Sequence, residues 1–285
     1  MFYQIGQIKT VYRYATVCKK DIRIPVRKFH REFSSYMAIS STTDAIKEAR
    51  AKQILIGPYT YVNTGTDVEL IEKTGKGLDM FEKWNECTTD PNVTYCVLLK
   101  GKYSMLIFKN GANVLSYAES IIPTFNSEMK IEDIWPTEKG KVKLDLYPHG
   151  WNTLDWKVFH EMRNPYVPFP QTGEKLGVSW RTVSNHFQKI MKDCKTWVSF
   201  FPKGLLNYYH VFLFFKTEYE VGIIKELKKL NRTSNIYKFG DTIILYLCLN
   251  QTEDHSVFMK MENEGIIHDL SVSVPSQWEK PWFEF

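Results

Sequence analysis

Residues 176–183, with the sequence Leu-Gly-Val-Ser-Trp-Arg-Thr-Val, decide which fold this chain is expected to adopt. Gly177 permits the tight turn that ends one helix, and Ser179 is a favourable N-cap for the next. A glycine turn followed by a serine-capped helix, with Val183 facing the core, is typical of a helix-turn-helix. We therefore predict a reader helix from Trp180 to about Cys194.

The residues on both sides of this segment extend the pattern. A helix is predicted from Leu154 to Met162 and a short one from Gln171 to Leu176, before the reader helix. Strands at Trp197–Phe201 and Tyr208–Phe215 follow it, as in a winged helix. From Tyr208 onwards the predicted order is β-α-β-β-α-β, a ferredoxin-like unit. Its later elements are predicted at Glu220–Leu230, Ser234–Lys238, Thr242–Leu249, Asp254–Glu262 and Ile266–Val274.

Three short motifs carry a resemblance to a known family. Leu154-Asp155 opens the first helix, Leu176–Ser179 precedes Thr182-Val183, and Gly240-Asp241 precedes a strand. Over about residues 150–275 the sequence resembles the leucine-responsive/AsnC (Lrp/AsnC) family of prokaryotic transcription regulators. The resemblance implies a winged-helix DNA reader joined to a ligand-sensing and oligomerising α/β module.

The first half of the chain reads as a degenerate copy of the second. Ile39–Thr43 matches Val178–Thr182 at an offset of 139 residues, and the stretch from Lys100 matches that from Phe239 at the same offset. This copy differs by a longer, basic loop at Cys18–Pro25 and a short second sensor helix near Ala112–Glu119.

The predicted fold class is therefore α+β, with two tandem units. Each is a winged helix-turn-helix followed by a ferredoxin-like (βαββαβ) ligand-sensing module, and we expect the two sensor modules to pair as an intrachain pseudo-dimer. The predicted domains are a degenerate winged helix-turn-helix at 1–55, a sensor module at 56–140, a winged helix-turn-helix at 141–205 and a second sensor module at 206–285.

The charge of the chain alternates along its length. The net charge is +7 in residues 1–53, −4 in 54–140, +6 in 141–216 and −4 in 217–285, against +5 for the whole chain. Two basic blocks indicate surfaces for a polyanion, which makes double-stranded DNA the expected partner. The predicted DNA-binding residues are Trp180, Arg181, Ser184, Asn185, His186 and Lys189 in the second reader helix, Lys19, Lys20, Arg23, Arg27 and Lys28 in the first basic block, and Thr42 in the first reader helix.

A small-molecule effector is a further expectation, and it rests on the family resemblance. In that family the turn at Gly240-Asp241 lies near the place where effectors bind between sensor modules. Gly101, Gly240 and Asp241 are the predicted effector-binding residues, with an amino acid as an example of the ligand. A plain hairpin turn is the alternative for both glycines. Homo-oligomers would form through the sensor modules.

Several classes of protein are disfavoured by the composition. The five cysteines are scattered without a CxxC pair, as expected for reduced thiols in a cytoplasmic protein. No stretch is long and apolar enough to span a bilayer, so no membrane partner is expected. The histidines show no metal-ligand spacing, and we predict no metal, no cofactor and no catalytic residues.

Two other functions stay open beside the predicted regulator, which we expect not to be an enzyme. Siroheme decarboxylases share the two-module architecture without reading DNA, and such a tetrapyrrole enzyme would need histidines and arginines converging in its pocket. His210 and His268 lie in the second sensor module, but the first copy has no histidine between His30 and His149. The other alternative is a protein-binding scaffold that uses its aromatic strands.

Overall fold

The structure of the chain is a computed structural model, which describes residues 5–63, 67–72, 80–90, 93–109, 115–145, 147 and 150–279. These residues form two compact units, one of residues 1–62 with 147–205 and the other of residues 63–146 with 206–285. We call them unit 1 and unit 2. The division into four consecutive domains stays a prediction.

The helices and strands are numbered in chain order. The helices are α1 Ile5–Cys18, α2 Val26–Phe33, α3 Ile39–Ala51, α4 Met80–Thr89, α5 Thr153–Glu161, α6 Phe169–Leu176, α7 Trp180–Ile190, α8 Glu220–Leu227 and α9 Ser256–Asn263. The strands are β1 Leu55–Tyr61, β2 Asp67–Glu72, β3 Val93–Gly101, β4 Tyr103–Lys109, β5 Leu115–Ile121, β6 Lys195–Phe200, β7 Tyr209–Thr217, β8 Ser234–Phe239, β9 Thr242–Leu249 and β10 Ile267–Glu279.

Unit 1 contains two helical trios, α1–α3 and α5–α7, and an antiparallel pair made by β1 and β6. Each strand of the pair follows one trio, so the pair joins them through backbone hydrogen bonds. The α5–α7 core consists of buried apolar residues spaced along the helices, including Val158, Met162, Val183 and Phe187. This spacing buries one face of each helix, as the sequence predicts.

Unit 2 is built on one eight-stranded sheet in the order β2-β4-β3-β10-β7-β9-β8-β5. Residues 209–279 run β-α-β-β-α-β along the chain, the predicted order. The predicted pairing of the two sensor segments within the chain requires residues 90–110 and 235–250 to share a domain. The structure places β3 and β4 in the same sheet as β8 and β9.

The sheet is curled rather than flat. Five strand-to-strand steps separate β4 from β8, which would place them roughly 24 Å apart in a flat sheet. Yet the ring centroids of Phe108 on β4 and Tyr237 on β8 are 5.4 Å apart. The sheet therefore curls around the face that carries Phe108 and Tyr237, which we call the inner face and which encloses side chains from both halves. Helices, α8 and α9 among them, pack on the opposite face.

The two halves exchange edge strands. β10, from the end of the second half, pairs with β3 of the first, and β5, from the end of the first half, pairs with β8 of the second. Our prediction of a short helix near Ala112–Glu119 is wrong, because Leu115–Ile121 is a strand; residues 112–114 lie outside the described part of the chain. The physical reason is the edge of β8, whose backbone groups need partners that a helix could not supply.

A buried ion pair within unit 2 connects the segment before residue 146 to β8 and α8. Lys238 on β8 is 7% exposed, and its Nζ lies 2.7 and 2.9 Å from the carboxylate oxygens of Glu220, which is fully buried at the start of α8. The backbone N–H of Val142 donates to the same carboxylate at 2.9 Å, and Lys141 lies 3.5 Å from it. Three parts of the chain thus meet at one carboxylate.

Candidate active site

The predicted reader helix α7 begins as the sequence implies. Gly177 adopts the left-handed conformation with φ 68°, and the Ser179 hydroxyl accepts a hydrogen bond from the backbone N–H of Thr182. Trp180 is 52% exposed, and Arg181 and Asn185 are also exposed. Ser184 is half-buried. The capped end of α7 therefore presents three of its predicted contact residues to solvent.

His186 and Lys189 are engaged within unit 1. Both reach the buried carboxylate of Asp155 on α5, with distances of 2.6 Å from His186 Nδ1 and 2.5 Å from Lys189 Nζ. Burial raises the pKa of Asp155, but Lys189, the Asn152 N–H and His186 outweigh it and hold that pKa below its ordinary value. These two side chains stabilise the packing of α7 on α5, so a phosphate would have to compete with Asp155 for them.

The prediction that Thr42 contacts DNA is wrong for a packing reason. Thr42 is fully buried, and its hydroxyl is hydrogen-bonded to His30 Nδ1 at 2.8 Å and Ser34 Oγ at 2.7 Å. The buried positions of α3 match those of α7 at a spacing of 141 residues, not 139: Thr42, Ile46 and Ala49 correspond to Val183, Phe187 and Ile190. At that spacing the α3 positions matching Arg181, Asn185 and Lys189 are Ser40, Asp44 and Glu48. None of these three positions carries a positive charge, although the exposed Lys47 lies beside Asp44 and Glu48.

The first basic block divides between packing and exposed residues. The guanidinium of Arg23 lies 4.1 Å from the Phe169 ring centroid and donates to the Val167 carbonyl at 3.2 Å. Arg23 therefore connects the Cys18–Pro25 loop to α6, a contact that could not be foreseen from the sequence. Of the other predicted contacts in this block, Lys19 is half-buried, and Lys20, Arg27 and Lys28 are exposed.

The predicted effector residues lie at two hairpins of unit 2. A Cβ on Gly101 would stand 2.3 Å from the carbonyl oxygen of Val272 on β10, so close packing accounts for this glycine. Gly240 has φ 56° in the turn between β8 and β9. The Asp241 carboxylate is exposed and lies 3.8 Å from Lys216. Effector binding at these hairpins stays a prediction.

A polar cluster lies on the inner face of the sheet, where β7 begins and β9 ends. The Tyr246 hydroxyl is 2.7 Å from Nδ1 of His210, and the Cys248 sulfur is 3.7 Å from the same nitrogen. The cluster forms because His210 pairs with Cys248 across the β7–β9 ladder, with Tyr246 two residues away on the same face. His210 is half-buried, whereas Tyr246 and Cys248 are buried.

The protonation of this cluster follows from its burial. Burial lowers the pKa of His210 from 6.5 to about 4, so the imidazole is neutral at neutral pH. Burial also raises the pKa of Tyr246 well above its ordinary value of 10 and that of Cys248 to about 12. A protonated phenol beside a neutral imidazole donates to Nδ1, which leaves the imidazole proton on Nε2.

Further polar groups lie on the inner face around this cluster. Asn235 is directly opposite Tyr246 in the β8–β9 ladder, and Ser273 and Ser271 are opposite Phe212 and Phe214. The Asn235 Oδ1 and both serine hydroxyls are buried, and within the described part of the chain they have no hydrogen-bond partner. An unpaired buried polar atom is costly, so this face holds hydrogen-bonding capacity that the described residues do not use.

A buried arginine stabilises the end of β9 that carries the cluster. Arg232 is 1% exposed, its Nε donates to the carbonyl oxygen of Cys248, and its guanidinium is paired with the buried carboxylate of Glu253. Glu253 also accepts from the backbone N–H of Asn250 at 2.7 Å. The pair therefore holds the end of β9 that carries Tyr246 and Cys248. Arg232 is the one arginine in the sequence of unit 2.

The first half of the sheet has no tyrosine at the matching position. At the offset of 139 residues, Tyr246 matches Ile107 on β4 and His210 matches Ile71 on β2. The histidine–tyrosine pair thus belongs to the second half. Sequence reasoning noted His210 but could not detect its partner, because a strand register that places a histidine beside a tyrosine is not visible in a single sequence.

We expect the stability of the protein to fall on acidification because of His210. A buried neutral histidine resists protonation, whereas the unfolded chain accepts the proton near pH 6.5. The contribution of neutral His210 to the free energy of unfolding is therefore complete above pH 6.5 and is lost as the pH falls from about 6.5 to about 4. Urea unfolding at pH 7 and pH 5 checks this, and a His210→Gln variant should lose less stability between them than the wild type. An equal loss in both proteins would contradict this account.

The described residues contain neither a metal-binding cluster nor a membrane-spanning helix. No group of three or more His, Cys, Asp or Glu side chains there could hold a metal ion. Within the same residues no helix is both long and apolar enough to cross a bilayer.

Comparison with known proteins identifies the fold. No protein-family model matches the sequence, and no curated protein matches it either. Among solved structures, the siroheme decarboxylase NirDL matches with a TM-score of 0.55 and 10% sequence identity, covering 95% of this chain and 91% of that one. NirDL in complex with an iron-uroporphyrin III analogue matches with a TM-score of 0.53 and 11% identity, covering 95% and 92%.

These comparisons correct one sequence-based prediction and leave another without support. The expectation that the chain is not an enzyme is contradicted, because the solved structures that share its fold over almost its whole length are of an enzyme. They give the DNA-binding regulator no direct support. At this level of identity the likeness establishes the fold alone.

Proposed function

We propose that this chain is an enzyme that removes carboxylate groups, as CO₂, from a carboxylated tetrapyrrole of the siroheme type. The observation that carries the proposal is the His210–Tyr246 pair on the inner face of a sheet whose fold is that of a siroheme decarboxylase. The iron of such a tetrapyrrole belongs to the substrate.

The chemistry needs a proton donor at one carbon. When an acetate side chain loses CO₂, its C–C bond breaks and the electron pair stays on the methylene carbon, where conjugation with the pyrrole spreads the charge. A proton from the protein must then bind that carbon to give a methyl group. A positioned general acid typically contributes about 10²–10⁴-fold to such a step.

His210 and Tyr246 are suited to this transfer. The carboxylates of a bound tetrapyrrole are negative charges, and negative charges near an imidazole raise its pKa. His210, neutral while the site is empty, would therefore take up a proton as the substrate arrives. Nε2 is the donor atom, and the Tyr246 hydroxyl at Nδ1 orients the ring.

Electrostatics favours delivery of a polyanion. Unit 1 contains 19 lysines and arginines against 8 acidic residues, a net charge of +11, and unit 2 a net charge of −6. A strongly basic unit raises the encounter rate with polyanionic ligands, and the effect weakens with salt. Binding of iron-uroporphyrin III should therefore weaken as ionic strength rises.

The direct experiment is incubation of the purified chain with siroheme under anaerobic conditions, followed by mass spectrometry of the pigment. The expected product lacks one or more carboxyl groups as CO₂. Absorbance titration with iron-uroporphyrin III measures binding separately. Absence of both binding and decarboxylation would refute the proposal.

Sequence-specific DNA binding is a second candidate, favoured by the exposed Arg181 and Asn185 on the capped helix α7. Arg can contact guanine and Asn adenine in the major groove. Arg181→Ala should cost about 1–3 kcal/mol on a selected site. Fluorescence anisotropy against DNA selected from a random pool measures this, with Asp44→Ala on α3 as the matched control. Unchanged affinity and preference in Arg181→Ala and Asn185→Ala would exclude α7 as a reader.

A further inference from the structure

Two serines on β10 carry buried hydroxyls that are not used within the fold. Ser273 is fully buried, and Ser271 is 6% exposed. Neither Oγ atom has a hydrogen-bond partner among the residues that the structure describes. A buried hydroxyl without a partner is unfavourable, so two of them on one strand indicate groups that a ligand completes.

The strand register places these hydroxyls beside the His210–Tyr246 pair. Ser273 is directly opposite Phe212 on β7, and Tyr246 is opposite the same phenylalanine on its other side. The ring centroids of Phe212 and Tyr246 are 5.0 Å apart, as expected for neighbours on the inner face. His210 is two residues from Phe212 and is therefore a diagonal neighbour of Ser273, at about 7–8 Å. One substituent of a bound molecule can reach both residues.

The neighbouring strand leaves room for the Ser273 hydroxyl. Gly101 on β3 is paired with Ser273. A Cβ on Gly101 would stand 2.5 Å from Ser273 Oγ, so a side chain at this position would crowd the hydroxyl. Gly101, which the sequence assigns to an effector site, thus keeps this part of the inner face open.

We propose that Ser271 and Ser273 bind the acetate carboxylate that the substrate loses. The assignment rests on the proposed decarboxylation and adds the groups that hold the leaving carboxylate. Each hydroxyl donates one hydrogen bond to a carboxylate oxygen. When the C–C bond breaks, the carboxylate carbon and its two oxygens leave as CO₂. The electron pair stays on the methylene carbon, which takes the proton from His210 Nε2.

Neutral donors suit a carboxylate that must leave. Negative charge moves from the carboxylate to the methylene carbon in the transition state, so a cation on the carboxylate would stabilise the substrate more than the transition state. A hydroxyl holds the carboxylate in position but stabilises its charge less than an arginine does. Arg232, the one arginine in the sequence of unit 2, is paired with Glu253 instead.

The test compares the affinities of Ser271→Ala and Ser273→Ala for two pigments by absorbance titration. Iron-uroporphyrin III carries acetates, whereas iron-coproporphyrin III carries methyl groups in their place. Each variant should bind iron-uroporphyrin III roughly 10- to 100-fold more weakly than wild type, the range for a lost hydrogen bond to a charged group. Each should bind iron-coproporphyrin III as tightly as wild type. Ser276→Ala is the matched control, because it removes an exposed hydroxyl of β10 that donates to the Leu98 carbonyl, and it should bind both pigments like wild type.

Urea unfolding of the pigment-free proteins separates a binding role from a structural one. Since the two hydroxyls have no partner in the described chain, Ser271→Ala and Ser273→Ala should be at least as stable as wild type. A clear loss of stability in both variants would show that the hydroxyls are already bonded, to ordered water or to the protein, and would overturn the assignment.

The pigment titrations also separate this assignment from the proposed function. If wild type binds iron-uroporphyrin III and the two variants bind it equally well, the assignment is wrong and the proposed function stands. An equal loss of affinity for both pigments would likewise overturn the assignment, because the serines would then contact something other than the acetates. A wild type that neither binds iron-uroporphyrin III nor decarboxylates siroheme overturns the proposed function, and the assignment with it.

Discussion

Replacement of Tyr246 by Phe should lower the rate of tetrapyrrole decarboxylation by about 10²-fold, and replacement of His210 by Phe by about 10²–10⁴-fold. Tyr246→Phe keeps the buried ring and removes only the hydroxyl that lies 2.7 Å from His210 Nδ1. The imidazole then loses the partner that orients it, while His210→Phe removes the proposed proton donor itself.

The measurement is single-turnover formation of product, with binding of iron-uroporphyrin III as a separate readout. The rate should fall in both variants. The dissociation constant should change little in Tyr246→Phe and should rise in His210→Phe, because the substrate carboxylates interact with the protonated imidazole. Tyr237→Phe is the matched control, since it removes another phenol hydroxyl from the neighbouring strand of the same face. If His210→Phe and Tyr246→Phe turn over at the wild-type rate, the proton donor lies elsewhere.

Replacement of Lys238 by Met should destabilise the protein by about 3–5 kcal/mol, the range for removing one partner of a buried ion pair. Met fills a similar volume, so the loss arises from the Glu220 carboxylate. This carboxylate is fully buried and, among the described residues, would keep Lys141 and the Val142 N–H as partners. Urea unfolding followed by circular dichroism measures the change.

The companion variant Lys238→Met/Glu220→Met tests the cause. It removes both charges, so it should be more stable than Lys238→Met alone, even though Val142 loses its acceptor. Lys225→Met is the control, because its pairing with Glu138 is at the surface and contributes little. A single variant as stable as wild type would show that the buried carboxylate is satisfied without Lys238.

Local structure in the second half could be predicted from the sequence in detail. Gly177 and Ser179 mark the turn and cap of α7 because both act within a few residues of their own position. The strand predicted at Thr242–Leu249 has the bounds of β9. The first half was harder to predict, since the offset of 139 residues becomes 141 in the reader helices. That shift of two residues places Thr42 in the core instead of on the surface.

The candidate site could be predicted only in part. His210 is visible as a histidine in the second sensor segment, but its significance depends on Tyr246 and Cys248 in another strand. The α7 face shows the opposite error: His186 and Lys189 have the spacing of outward residues, yet Asp155 of α5 binds both. Helical periodicity identifies the face on which a residue lies but not the charges of the helix packed beside it.

By itself, the sequence determined the α+β class, the turn and cap of α7 and the β-α-β-β-α-β order of the second half. These features follow from hydrophobic periodicity and from turn and capping chemistry over a few residues. Only the tertiary structure decided that β5 and β10 cross between the halves, that the sheet curls, and that His210 meets Tyr246 on its inner face. These features depend on strand register and on contacts between residues that are distant in the chain. Such contacts involve many positions at once and produce no recognisable pattern within a short stretch of sequence.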